Sequence, residues 1–139
     1  MNWFFWALLS AVFAGLTAVL AKVGVADVNS NLATAIRTTI ILAITWLISA
    51  FTMKTGALAA IAHRTWLFLA LSAVATGLSW LCYFRALQLG EVSKVAPIDK
   101  LSVVIAIGIS IVVLGEKLNV REGFGAGFIV VGALLLAWK

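Results

Sequence analysis

An aspartate and a lysine, Asp99 and Lys100, are the residues of this sequence best suited to bind a proton or a charged solute. They precede the uncharged stretch Leu101–Gly115, which is shorter than the ~20 residues a helix needs to cross a bilayer. A membrane helix there must begin earlier and carry both charges in its first turns, just after Pro97. Because ionisable groups are unfavourable in hydrocarbon, Asp99 is a candidate for proton coupling or amine binding, and Lys100 for an anionic substrate. Pro97 either starts the helix or opens backbone carbonyls to a cavity.

Arg37 is a third candidate of the same kind. The apolar stretch Thr38–Met53 is also short for a span, so Arg37 lies in or near the membrane, where it could meet an anionic substrate. Adjacent helix positions do not face each other, so Arg37 or Arg85 is a better expected partner for Asp99 than Lys100. A structural role stays open, since the long stems of Arg37 and Lys100 let their charges reach the headgroups.

Hydroxyl and small side chains recur at helical spacing on the apolar stretches. One face of the third stretch carries Ser72, Thr76, Ser79 and Tyr83, and similar faces carry Thr38, Thr45, Ser49 and Thr52 on the second and Asp99, Ser102, Ala106 and Ser110 on the fourth. Such faces either let helices pack closely or line a polar cavity, and the pattern is compatible with both. The candidate cavity residues are Arg37, Trp46, Ser72, Thr76, Ser79, Trp80, Tyr83, Pro97, Asp99, Lys100 and Ser102.

The elements that must position these residues follow from composition. The chain has 139 residues, 64% of them hydrophobic and 11% charged, with a mean hydropathy of +1.16. This excludes a soluble globule and a disordered chain. The apolar stretches lack the alternation of barrel strands, so we predict an all-α integral membrane protein with one domain over residues 1–139. Its five spans are predicted at residues 3–21, 32–53, 66–84, 95–114 and 120–138.

The rare polar residues also exclude several classes of function. The net charge is +5, but the basic residues stand singly between apolar stretches, so no nucleic-acid partner is expected. One cysteine, Cys82, excludes an internal disulfide and a cysteine zinc cluster, and the single His63 gives little support for a metal. No nucleophile–base pair or nucleotide loop is recognisable. We therefore expect no enzyme activity, no metal and no cofactor.

The loop charges bear on how the chain inserts and pairs. Five spans put the termini on opposite sides, with the basic residues Lys54, Arg64, Lys117 and Arg121 on one side and Lys22, Arg85, Lys94 and Lys139 on the other. This even division is what a dual-topology protein with antiparallel pairing would show, although Arg37 and Lys100 could tip it to one orientation. Gly123 and Gly127 form a GxxxG pair, a close-packing face for another helix.

Several short motifs, in this order, resemble a single EamA-type unit of the drug/metabolite transporter superfamily over essentially the whole chain. They are Trp6-Ala7-Leu8-Leu9-Ser10-Ala11 with Gly15 and Lys22, Leu32-Ala33 with Arg37, Tyr83-Phe84-Arg85-Ala86-Leu87 with Gly90 and Ser93, Ala96-Pro97-Ile98, Leu114-Gly115-Glu116-Lys117-Leu118, and Gly123 through Gly127 with Gly132-Ala133-Leu134. Arg37 and the Pro97 region match positions typical of the family. The run Asp99-Lys100-Leu101-Ser102 resembles the shorter, five-helix branch.

The resemblance implies a secondary transporter that moves small metabolites or amphipathic solutes by alternating access. Family members commonly have ten helices in two inverted units, so a lone unit implies an antiparallel homodimer of ten helices in an inverted-repeat arrangement. The implied partners are a second copy, the lipid bilayer, a small-molecule substrate and a coupling proton. The implied location is the cytoplasmic membrane of a bacterium or archaeon.

Two other functions remain open at this point. A small multidrug-resistance-type proton antiporter is also dimeric, but it depends on a carboxylate in its first helix, and Trp3–Ala21 has none. A non-transporting membrane or flippase subunit would instead form a stable complex with a different protein.

Overall fold

The computed structural model describes residues 2–53, 58 and 60–138, and it is all-helical over these residues. The helices are α1 (Trp3–Gly24), α2 (Ser30–Thr52), α3 (His63–Leu89), α4 (Val92–Asp99), α5 (Leu101–Ile109), a π-helical turn (Ser110–Leu114) and α6 (Val120–Ala137). Within the described residues, five segments are long and apolar enough to cross a membrane, because α4, α5 and the π-helical turn together form one segment, Val92–Leu114. The prediction of an all-α protein with five membrane helices is thus confirmed.

The largest difference from the predicted spans is in α3, which has 27 residues where 66–84 was expected. Its last turns contain Arg85 and Gln88, polar residues that lower the hydropathy but are good helix formers. His63 and Arg64, expected in a loop, form the first turn. Two of the residues in the loop-charge count, Lys54 and Lys139, lie outside the described residues.

The helices divide into two compact units. The four-helix unit contains α1 up to Lys22 together with α4, α5 and α6, and the two-helix unit, Val23–Gln88, contains α2 and nearly all of α3.

The two-helix unit is tightly closed at one end. The Gln88 side-chain amide donates hydrogen bonds to the carbonyl oxygens of Val28 at 2.9 Å and Val25 at 3.3 Å, which ties the end of α3 to the turn before α2. That turn is shaped by Asn29, whose side-chain oxygen accepts from the backbone N–H of Asn31 and caps α2. Val25, Ser30, Thr34, Phe84 and Leu87 are buried here, and we call these five residues the closed end.

In the four-helix unit, α6 packs against α4 and α5. Small side chains allow this approach, and Ala133 of α6 is buried. Lys22, in the last turn of α1, donates to the Gly90 carbonyl at 2.8 Å and so fixes the segment that leads into α4. The α6 N-terminus is held by Glu122, whose carboxylate accepts from the Asn119 N–H at 2.8 Å.

The fourth membrane segment is a broken helix. It begins at Val92, three residues before the predicted start, and α4 ends at Asp99 with Lys100 in the break. Asp99 and Lys100 therefore lie two turns into the segment and not in its first turns. Pro97 is an interior residue of α4, so its interpretation as a helix start is wrong. Because proline has no N–H, the Ser93 carbonyl lacks its usual helical donor, which weakens the helix just before the break.

Candidate functional site

A mostly apolar groove that contains several hydroxyl groups lies between α2 and α3 of the two-helix unit, with a volume of about 390 Å³. Its lining consists of Thr38, Ile41, Leu42, Thr45, Leu69, Ser72, Ala73, Thr76, Gly77 and Trp80. Half of each predicted hydroxyl-bearing face lines this groove, namely Thr38 and Thr45 on α2 and Ser72 and Thr76 on α3, whereas Ser49, Thr52, Ser79 and Tyr83 do not line it. The predicted cavity residues Ser72, Thr76 and Trp80 are brought together here.

The threonine hydroxyls of the groove donate their protons to their own helices. Each donates its proton to a carbonyl of its own helix: Thr38 to Thr34 at 2.8 Å, Thr45 to Ile41 at 2.8 Å and Thr76 to Ser72 at 2.9 Å. A hydroxyl that donates in this way keeps its oxygen lone pairs free as acceptors. Three hydrogen-bond acceptors of this kind therefore line the groove.

Arg37 lies beside the groove, between its lining and the closed end. Its guanidinium carbon is 4.4 Å from the centroid of the Trp80 ring and 5.4 Å from that of Phe84. Contacts of this type stabilise a cation in a poorly hydrated position. Tyr83, half-buried one turn along α3 from Trp80, is close enough to interact electrostatically with Arg37.

Asp99 has an ion-pair partner within its own unit. Asp99 forms an ion pair with Lys100, with 3.3 Å between the carboxylate oxygen and Nζ, and Asp99 is half-buried. Adjacent residues pair here because the helix breaks at Lys100. Arg37 contacts ring faces, and Arg85 donates to the Gln88 side-chain oxygen at 2.7 Å. The ion pairs found among the described residues, Lys94–Glu91 and Lys100–Asp99, do not include Arg37.

The remaining predicted residues lie elsewhere. Trp46 and Ser79 are exposed and do not line the groove. Ser102 is exposed on α5, two residues beyond the break, and Pro97 is half-buried in α4.

Sequence reasoning did not place Phe84 beside Arg37, nor did it assign a role to Gln88. The i, i+4 spacing of Trp80 and Phe84 could have predicted the position of Phe84, since it puts both rings on one face of α3. No sequence pattern marks Gln88, because its partners are backbone carbonyls distant along the chain.

The GxxxG pair lies on an outward face of α6. Val120, Gly123, Phe124, Gly127, Phe128 and Val131 line a shallow groove of about 400 Å³ on this one helix, and we call them the α6 face. A Cβ at Gly123 would meet Leu118 at 3.6 Å, whereas a Cβ at Gly127 would meet open space. Phe124 and Phe128 are 68% and 75% exposed. Within the described chain, the surface around Gly127 is thus open to another helix.

Glu91, which directly precedes the fourth membrane segment, has a lowered pKa. The Glu91 carboxylate lies 2.9 Å from Lys94 Nζ, and the hydrogen bond and charge of Lys94 hold the pKa of Glu91 below its ordinary value. Among residues 2–53, 58 and 60–138, no cluster of three His, Cys, Asp or Glu side chains could hold a metal ion.

Comparisons with known proteins agree with this architecture. The sequence profile of the EamA-like transporter family matches residues 1–138. The chain is also similar to a curated Sinorhizobium protein named as an uncharacterized transporter in the cobO 3′ region, with 57% identity over 98% of this chain and 96% of that protein. No solved structure matches the chain.

Proposed function

The chain belongs to the EamA-like transporter family and is a multi-pass membrane transporter, and we propose that it is a secondary transporter of small amphipathic metabolites that works by alternating access. The transporter named in Sinorhizobium is bacterial, which supports a bacterial cytoplasmic membrane as the location.

The position of Arg37 is the observation that supports a small substrate with a charged group. Arg37 lies in a membrane-spanning helix, on the rings of Trp80 and Phe84, beside a groove with hydroxyl oxygens. A guanidinium at this depth is unfavourable unless it serves a function, and the ring faces stabilise it without neutralising its charge. The groove, at about 390 Å³, has the size of a small-ligand site.

The break in the fourth segment supports the proposal that this region moves during transport and takes up a proton. Discontinuous helices recur where secondary transporters bind ions and change conformation. Asp99 is half-buried at the break and forms an ion pair with the neighbouring Lys100, so taking up a proton would release Lys100. We assign Asp99 to proton coupling and Lys100 to holding its charged form.

A second copy in the opposite orientation is the proposed partner. The α6 face is apolar and exposed, and its glycines would let a helix of another copy approach closely. The nearly even division of loop charges favours insertion both ways. An antiparallel pair would supply ten helices related by an in-plane two-fold axis, an arrangement common among secondary transporters.

The transport proposal is tested with the purified chain reconstituted in lipid vesicles. Uptake of a panel of amino acids, organic acids, amines and aromatic metabolites is measured with and without a pH gradient. We expect gradient-dependent uptake of a subset of the panel. A chain that transports none of them alone, but co-purifies with a different membrane protein, would contradict the proposal.

The pairing is tested separately. Reporters fused to each terminus should be active on both sides of the membrane, and a single fixed orientation would refute antiparallel insertion. In a Cys82→Ser background, Phe128→Cys on the α6 face should cross-link two copies. Val74→Cys, an exposed position on α3, is the matched control and should cross-link less.

A further inference from the structure

The groove between α2 and α3 has the direction and the length of a lipid chain. Its lining runs from Thr38 to Thr45 on α2 and from Trp80 to Leu69 on α3, so the groove follows the helices for ~10–16 Å. This is about half of the ~30 Å hydrocarbon core, which is the depth of one leaflet. Helices that cross the membrane lie roughly along the lipid chains, and a groove between two of them does the same.

The groove is open and mostly apolar. Its apolar lining consists of Ile41, Leu42, Leu69, Ala73, Gly77 and the ring of Trp80. Leu42 and Leu69, on its two sides, are 55% and 54% exposed, and the lining comes from α2 and α3 alone. The groove therefore faces outward from the two-helix unit, where a hydrocarbon chain can reach it.

Arg37 gives the groove one charged end. Its guanidinium is 4.4 Å from the centroid of Trp80, at the end of the lining, and 5.4 Å from that of Phe84, one turn further along α3 at the closed end. Arg37 is seven residues, ~10 Å, from the start of α2 at Ser30, and its long side chain extends back toward that start. The charge thus lies at the end of the groove nearer the membrane surface, and the apolar lining continues from it toward the middle of the bilayer.

The two-helix unit supplies almost no negative charge to balance this cation. Its sequence has one acidic residue, Asp27, against the basic residues Arg37, Lys54, Arg64 and Arg85. The ring faces stabilise the Arg37 guanidinium without neutralising it and leave its edge for a planar or bidentate partner such as a phosphate. Basic pockets between membrane helices bind the headgroups of anionic lipids.

We propose that this groove is a binding site for an anionic phospholipid, with the lipid phosphate at Arg37 and one acyl chain along the apolar lining. Phosphatidylcholine is disfavoured, because its choline cation would lie near the guanidinium. Lipid binding at this site does not depend on transport. Because the proposed substrate needs the same guanidinium, the lipid occupies the groove only while the substrate is absent.

The test is native mass spectrometry of the full chain, purified in detergent and titrated with phosphatidylglycerol or with phosphatidylcholine of the same acyl chains. Phosphatidylglycerol should bind ~10-fold more tightly at the first site, as expected for one charge-assisted hydrogen bond. Glycerol 3-phosphate, which has the phosphate but no acyl chain, should not displace it even in large excess. Equal binding of the two lipids overturns the proposal. Displacement by glycerol 3-phosphate does so as well, because Arg37 would then bind a free phosphate.

A pair of arginine variants locates the headgroup. Arg37→Gln removes the charge and should abolish the preference for phosphatidylglycerol. Arg64→Gln is the matched control, because the Arg64 guanidinium also lies over a ring, 5.8 Å from the centroid of Phe68, but does not line the groove. If both substitutions lower the preference alike, it is a general response to charge and the proposal is wrong. Helical content by circular dichroism shows that each variant is folded.

A pair of glycine variants locates the acyl chain. Gly77→Leu fills the groove without a clash, because a Cβ at Gly77 meets open space, and should weaken phosphatidylglycerol binding about 5-fold through lost chain contacts. Gly15→Leu is the matched control, since a Cβ there also meets open space and Gly15 lies on α1, outside the groove. Unchanged binding by Gly77→Leu, or equal weakening by both variants, would place the chain elsewhere and overturn the proposal.

The lipid site and the transport function can fail separately. Lipid binding without vesicle uptake would sustain the site while refuting transport. Uptake by a chain that shows no preference for phosphatidylglycerol would do the reverse.

Discussion

Arg37 and the pair Asp99–Lys100 are charged residues of membrane-spanning segments, and their charges are stabilised by different means. Arg37 lies in an uninterrupted helix and is stabilised by the faces of Trp80 and Phe84. Asp99 and Lys100 neutralise each other at a break in the fourth segment, with Pro97 two residues before Asp99. Ring faces leave a charge available to a ligand, whereas an ion pair satisfies its charges internally. The first arrangement suits binding, and the second suits a part that moves and exchanges a proton.

The units that contain these two sites differ in the same way. The two-helix unit that holds Arg37 is fixed at its closed end by the bonds of Gln88 to Val25 and Val28. The four-helix unit that holds Asp99 contains both irregular parts of the described chain, the break at Lys100 and the π-helical turn before Gly115. Irregular turns in helices frequently mark functional positions. A stiff binding element and a deformable coupling element are what alternating access requires.

The largest expected effect is at Arg37. Arg37→Ala removes the cation and should lower uptake of the metabolite found in the vesicle screen about 100-fold, chiefly through a raised KM, as expected for a lost charged hydrogen bond. Arg37→Lys keeps the charge but not the planar group that lies on the rings, and should lose only about 10-fold. Vesicle uptake over a range of substrate concentrations measures both. An Arg37→Ala protein with normal KM would place binding elsewhere.

The second-largest effect is expected at Asp99, and it distinguishes proton coupling from substrate binding. Asp99→Asn cannot exchange a proton at this position, so uptake should lose its dependence on the pH gradient and its maximal rate should fall about 10-fold. Equilibrium binding in nanodiscs should stay the same. If the gradient dependence of Asp99→Asn equals that of the unaltered chain, Asp99 is not the coupling residue.

A smaller effect is expected from repairing the helix before the break. Pro97→Ala restores an N–H that can donate to the Ser93 carbonyl, which should raise the melting temperature and slow transport about 3-fold by stiffening the segment. Binding should not change. Ala96→Ser, the control at the neighbouring position, leaves Pro97 in place and should not alter the rate. A Pro97→Ala protein that is less stable and equally fast would contradict a hinge at this position.

The smallest effect concerns an ion pair at the start of the fourth membrane segment. Glu91 pairs with Lys94 across one turn, and this lowers the pKa of Glu91 from its ordinary value of 4.5. The stabilisation is present above that value and is lost as the pH falls through the lowered pKa, because the folded state then takes up the proton. Glu91→Gln should therefore reduce the pH dependence of the melting temperature slightly in acid and leave transport at neutral pH unchanged. A change of transport rate would mean that this pair belongs to the coupling machinery of Asp99.

The sequence was informative about the helices and about some site residues. The apolar stretches predicted five membrane helices, and the hydroxyl spacing on the second and third stretches contained four of the residues that line the groove, Thr38, Thr45, Ser72 and Thr76. The ends of α3 were less predictable, since hydropathy falls at Arg85 and Gln88 although both continue the helix. The ion pair of Asp99 with its neighbour Lys100 was not expected, because the rule that adjacent positions do not face each other assumes an unbroken helix.

The number and approximate position of the membrane helices follow from the amino-acid sequence alone, because the free energy of transfer into hydrocarbon is a sum over adjacent residues. The sequence also identifies the few side chains that could carry charge into the membrane. How each of these charges is stabilised depends on contacts that form only in the folded chain. The stack of Arg37 on Trp80 and Phe84 requires α2 and α3 at a particular separation, and the Asp99–Lys100 pair forms at a break in a segment that packs against α6.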